Sequence, residues 1–136
     1  NETGDASDDV LAKNFLVKFA DAYTTDVTNG DGAKINVSID SDTEATINAY
    51  ELTSLNKSVS ATLTIVNASE DLIATIDIPT IENASEYFKV GTDWSKTVLN
   101  PDGSKNVTVT ITLIKSPITH QDATFKITFV AQASEE

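Results

Sequence analysis

The feature that most constrains this chain is an alternation of period two that has to hold a fold together without a single cysteine. In NVTVTITLIKSPI, residues 106–118, Val107, Val109, Ile111 and Leu113 alternate with Thr108, Thr110 and Thr112 until a proline ends the run. Successive side chains of a strand point to opposite faces, so such a segment makes one apolar face and one wet face. The same pattern returns at Ile35, Val37 and Ile39, and at Ala45 and Ile47 leading to Tyr50 and Leu52. It recurs at Val59, Ala61, Leu63 and Ile65, and at Leu72, Ala74, Ile76 and Ile78, ended by Pro79. Phe125, Ile127, Phe129 and Ala131 close the series, with shorter runs at 87–90 and 97–99. Turn signals lie between them: Asn29-Gly30-Asp31-Gly32, residues 67–71, and Asn100-Pro101-Asp102-Gly103. Glycine, asparagine and aspartate supply the positive-φ or side-chain-capped conformations that such turns need. Regularly spaced short strands predict an all-β fold, a single antiparallel β-sandwich of eight or nine strands, rather than βαβ units. Threonine-rich outer faces suit the wet side of each sheet. The expected inward set includes Val59, Leu63, Ile65, Ile76, Val109, Ile111, Phe125, Ile127 and Phe129.

Without cysteine there are no disulfides, thiolate zinc sites or cysteine nucleophiles, and the core stands on packing alone. The 136 residues suit one domain that buries roughly two-thirds of its unfolded surface. We expect an acidic flexible leader over residues 1–13, the sandwich over 14–133 and a tail over 134–136. The opening NETGDASDDV has neither a basic nor an apolar region, so a signal peptide has either been removed already or never existed. No run approaches the 18 or so apolar residues of a membrane span.

Residues 5–23 carry two patterns at once. Ser7 before Asp8 and Asp9 resembles a helix start, and Leu11, Phe15 and Phe19 keep a spacing of four. Phe15, Val17 and Phe19 also alternate with Leu16 and Lys18, among aromatic and β-branched residues, and a strand is the preferred reading.

Nine lysines and no arginine stand against 21 acidic residues, a net charge of −12. Such a chain is repelled by nucleic acid and anionic lipid, and it lacks the planar fork suited to phosphate. The sole histidine, His120, lies in an expected loop and cannot supply the ligands of a zinc protease. A hydrolase triad would have to use it as the base, so hydrolysis is the poorest of the functional readings. Calcium needs only oxygens. Val27-Thr28-Asn29-Gly30-Asp31-Gly32 resembles part of an EF-hand loop, but Val27 and Ser38 fill its first and twelfth positions. A turn is the better reading, with Asp26, Asn29 and Asp31 kept as a weak candidate calcium set. Asp40, Asp42 and Glu44 read as a solvated turn. Trp94, between Asp93 and Ser95, is a sugar-stacking candidate whose plainer reading is packing.

Six of ten asparagines open an N-x-S/T triplet: Asn1, Asn36, Asn56, Asn67, Asn83 and Asn106. Serine and threonine are 31 of 136 residues, so chance would supply about two or three such triplets. These triplets accept N-glycans in exported proteins; a Thr-rich β protein also gathers them at strand ends.

The order of features resembles the TasA and camelysin family of exported surface proteins. The matching phrases are 52–55, 58–66, 67–72, 86–90 and 107–117, within residues 14–131, and none is a catalytic motif. The turn before Ser58 departs from the family pattern, reading Leu55-Asn56-Lys57 without the usual glycine. The resemblance implies a jelly-roll-like sandwich displayed outside the cell. In several members, including archaeal bundling pili, subunits polymerise as the amino-terminal segment of one completes the sheet of the next. Camelysin has been classed as a metallopeptidase, a label that a chain with one histidine does not carry over. The expectation is therefore a non-enzymatic, cofactor-free homopolymer subunit of an extracellular filament or biofilm matrix. Phe15, Val17 and Phe19 would be its donor-strand anchors. A monomeric adhesive or glycan-binding surface domain is the alternative.

Overall fold

The computed structural model describes residues 15–83, 86–115 and 121–135. Among them there is no helix, and eleven strands follow one another: β1 (Val17–Asp26), β2 (Lys34–Ile39), β3 (Glu44–Leu52), β4 (Ser58–Asn67), β5 (Leu72–Ile76), β6 (Thr80–Asn83), β7 (Phe88–Thr92), β8 (Thr97–Leu99), β9 (Ser104–Leu113), β10 (Gln121–Thr128) and β11 (Ala131–Glu135). They form sheets ordered β1-β4-β9-β7, β2-β3-β10-β6 and β11-β5-β8. Every pairing is antiparallel.

The second and third sheets are one surface bent in the middle. β6 pairs with β10 up to Thr80↔Thr128, and β5 pairs with β11 from Ile76↔Ala131. Between them, Asp77-Ile78-Pro79 oppose only Phe129-Val130, and Asp77 N–H donates to Val130 O at 3.2 Å. Three residues against two make a bulge, which bends a sheet, and Pro79 has no N–H to continue the ladder. The break overturns the alternation expected through Ile78, which is 63% exposed. It also raises the strand count from the expected eight or nine. The two strands not anticipated, β6 and β11, are continuations beyond the bend. The expected tail at 134–136 is corrected in the same way, because Ser134 and Glu135 pair with Ile73 and Leu72.

All nine residues of the expected inward set are buried. The inner faces meet in one core, where Phe88 of β7 sits edge-on to Phe125 of β10 with ring centres 6.1 Å apart. Asn56 adopts φ 67° between β3 and β4; asparagine tolerates that left-handed conformation better than most residues. In the β1–β2 connection Gly30 is fixed by close approach, since a Cβ there would lie 2.9 Å from Val59 Cγ1.

Candidate functional site

β1 occupies an edge of the first sheet, and its residues divide into two unlike halves. Val17, Lys18 and Phe19 pair with Asn67, Val66 and Ile65; the register then breaks, and pairing resumes at Tyr23↔Leu63 and runs to Asp26↔Ser60. Val17 and Phe19 are buried and Phe15 packs half-buried against the core, whereas residues 21–26 are exposed. The three sequence-predicted donor anchors therefore share one face and fill the core of their own chain. Strand replaces the helix alternative over 17–23, while residues 5–14 lie outside those described, as do residues 1–13 assigned to the leader.

Phe19 is the centre of this half. Its ring meets Phe129 edge-on at 5.0 Å and 89°, and Trp94 lies across Phe129 at 5.8 Å and 50°. Edge-to-face pairs at such separations add about 0.5–1.5 kcal/mol beyond burial. The Phe19 amide leaves its own sheet to donate to Asp42 O at 2.8 Å, tying the strand to the loop before β3. Trp94 is 5% exposed, which removes it as a sugar-stacking platform. Its neighbour Asp93 accepts the Thr108 N–H at 2.8 Å.

The buried groups at the end of β4 were not anticipated. Asn67 is 0% exposed and uses every polar atom it has. Its amide nitrogen donates to Leu72 O at 2.9 Å and to Leu99 O at 3.0 Å, and its Oδ1 accepts the Ser69 N–H at 3.0 Å. Its backbone N–H donates to Gly103 O and its carbonyl accepts from Asp102, both at 2.9 Å. A glycan has no room at this nitrogen, so Asn67 is withdrawn as an acceptor in the folded domain. Asn36, Asn56 and Asn106 are exposed; Asn36 and Asn106 accept from Asn48 at 3.0 Å and from Thr64 at 2.8 Å. The side chain of Asn83, residue 1 and His120 lie outside the described residues.

Asp26 and Asn29, two of the candidate calcium residues, line one pocket, and all three candidates have protein partners. Asp26 accepts the Thr28 N–H at 2.8 Å, Asn29 donates to Ser58 Oγ at 3.2 Å, and Asp31 accepts from Ser54 Oγ at 3.0 Å. The Thr28 hydroxyl, and then its amide, hold the Asp26 carboxyl below the usual carboxylate range. Among the described residues no three histidine, cysteine, aspartate or glutamate side chains gather as a metal group would require, and no helix is long and apolar enough to cross a membrane.

The outer face of β4 and β9 carries a hydroxyl ladder. Ser60 lies opposite Thr110 and Thr62 opposite Thr108, with the latter two hydroxyls 3.0 Å apart. The Thr62 and Thr108 hydroxyls thus satisfy each other. Compared with family models, with characterised proteins and with solved structures, the chain gives no match.

Proposed function

We propose that this chain is a structural, non-enzymatic subunit of an extracellular filament or biofilm matrix. Its jelly-roll-like sandwich joins head to tail when the first half of β1 enters the next copy. The observation that carries the reading is the edge position of β1 together with the register break after Phe19. An edge strand offers unpaired main-chain groups that another chain can satisfy. The break lets residues 15–19 leave while residues 23–26 keep their pairing to β4. Burying Val17 and Phe19 contributes about 2 kcal/mol each, and an exchanged strand recovers the same contacts in its new site. Once residues 15–19 swing out, the donor and the socket it vacates are different surfaces of one copy, so the joint is heterologous and can repeat without closing. The surplus of acid over lysine fits an exported surface protein that stays apart from nucleic acid and anionic lipid. Candidate N-glycans at Asn36, Asn56 and Asn106 fall on exposed positions.

The test is negative-stain imaging of concentrated protein beside a Phe19→Asp variant. Wild type is expected to give filaments, and the variant single particles only. Wild-type protein that stays monomeric by sedimentation across a wide concentration range overturns the reading.

A further inference from the structure

Three pairs in the chain set an asparagine or aspartate before a glycine: Asn29-Gly30, Asp31-Gly32 and Asp102-Gly103. In such a pair the glycine nitrogen can close on the side-chain carbonyl carbon of the residue before it, because glycine has no Cβ to hinder the rotation. The fold treats the three differently. Gly30 N–H donates to Val27 O at 2.9 Å, and Asn29 holds Ser58 twice, its carbonyl accepting the Ser58 N–H at 3.0 Å and its amide donating to Ser58 Oγ at 3.2 Å. Gly30 is also buried against Val59, so this unit has no room to turn. Gly103 N–H donates to Asn100 O at 2.8 Å, while Asp102 N–H and Gly103 O are tied to the main chain of Asn67, both at 2.9 Å. Gly32 is unlike the other two glycines. Its N–H has no partner among the described residues, it and Asp31 are exposed, and a Cβ on it would meet nothing within 4 Å. Asp31 and Gly32, at φ 53° and 90°, are the centre of a mirror-image turn closed by Ala33 N–H donating to Gly30 O at 3.1 Å.

We propose that Asp31-Gly32 is a site of spontaneous isoaspartate formation in the folded protein, and that the fold protects Asn29-Gly30 and Asp102-Gly103. The Gly32 nitrogen attacks Asp31 Cγ. An N–C bond forms, the C–OH bond of the protonated carboxyl breaks, and the N–H proton leaves with that hydroxyl as one water. A water then reopens the five-membered imide. Opening at the side-chain carbonyl restores aspartate; opening at the main-chain carbonyl leaves isoaspartate, with the chain running through Cβ and Cγ. Nothing is oxidised or reduced, and the mass is unchanged. At Asn29 the same attack would expel ammonia. Asp31 is restrained through its carboxyl, which accepts from Ser54 Oγ at 3.0 Å and so ties the β1–β2 connection to the one between β3 and β4. Isoaspartate formation moves the carboxyl onto a lengthened main chain and displaces this tie.

The test is peptide mapping of the full chain after prolonged warm incubation at neutral pH, below the melting transition and in parallel in concentrated guanidinium. Isoaspartate is read by electron-transfer fragmentation, and a converted asparagine also gains mass as its amide becomes a carboxyl. In folded protein Asp31 should convert ahead of Asn29 and Asp102. In guanidinium Asn29 should lead, since ammonia leaves an amide more readily than hydroxide leaves a carboxylate. Ser54→Ala should speed conversion at Asp31 by roughly two- to tenfold, the worth of one hydrogen bond. Asp31→Glu, whose imide would need a six-membered ring, should suppress the product. Asn29 or Asp102 leading in folded protein overturns the protection, and folded protein that forms no isoaspartate at Asp31 overturns the site. An unchanged rate in Ser54→Ala overturns the restraint assigned to that hydroxyl.

Discussion

At the scale of single residues, Asn67 shows how position changes the meaning of a side chain. On a surface it would be a modification site; at the inner end of β4 it joins three elements through its amide. Asn67→Ala leaves the Leu72 and Leu99 carbonyls and the Ser69 N–H without this partner, at about 1–3 kcal/mol for each buried group that finds no other. A clear fall in Tm is expected, and a Tm within a degree of wild type would contradict the assignment. Glycopeptide mapping of native material should find no occupancy at Asn67 in folded protein, with any glycans confined to exposed asparagines. Asn56, at φ 67°, should accept glycine with little change, whereas Asn56→Val should cost about 1–2 kcal/mol in chemical denaturation. The Asp26 carboxyl titrates below its ordinary range, so the stability it adds is complete above the ordinary carboxylate pKa. That contribution is lost as pH falls through the lowered folded value. Acid melts of Asp26→Asn should lack this limb.

At the scale of elements, alternation decides which face of each strand is dry. Ile111 of β9 is fully buried opposite Val59, while its neighbour Thr110 faces outward beside Ser60. Ile111→Asp should cost several kcal/mol through lost burial and an unpaired charge in the core. Thr110→Asp should stay within about 1 kcal/mol, as surface changes do. Equal Tm losses from the two would refute the facing. This alternation was legible in the sequence from β4 and β9 alone. It also held a signal for Asn67, which continues the odd-numbered inward series from Val59 through Ile65. The N-x-S pattern drew attention to the surface and hid it. β6 and β11 were not legible for a different reason. TIEN and AQASE carry little apolar alternation, and they become strands because β10 and β5 lie alongside them.

At the scale of the molecule, charge and topology act over longer distances than any pair. Net charge is −12, and the ion pairs Lys34–Glu51, Lys96–Asp77, Lys115–Glu86 and Lys126–Glu44 all lie at the surface, where each is worth little. Repulsion among the surplus carboxylates therefore opposes the compact state. Raising salt shortens the screening length from roughly 30 Å at 0.01 M to about 3 Å at 1 M. Tm at neutral pH should rise along that series, and a flat or falling response would show that repulsion is not a significant term. The same screening should ease the approach of one copy to another in the proposed assembly.

The sequence by itself determined the all-β class, the dry face of each long strand and the turns, because all three depend on neighbours within a few positions. It also determined the net charge of −12. Tertiary structure decided which strands pair, since β4 meets β9 across some forty residues and nothing in either strand names the other. It decided that the second surface bends at Pro79, where three residues must oppose two, and that Trp94 lies inside. It also turned an apparent glycan site into a buried hydrogen-bonded junction, because only the folded chain brings Leu16, Leu72 and Leu99 to the same turn, and a polar group's role is set by which donors and acceptors reach it once water has been excluded.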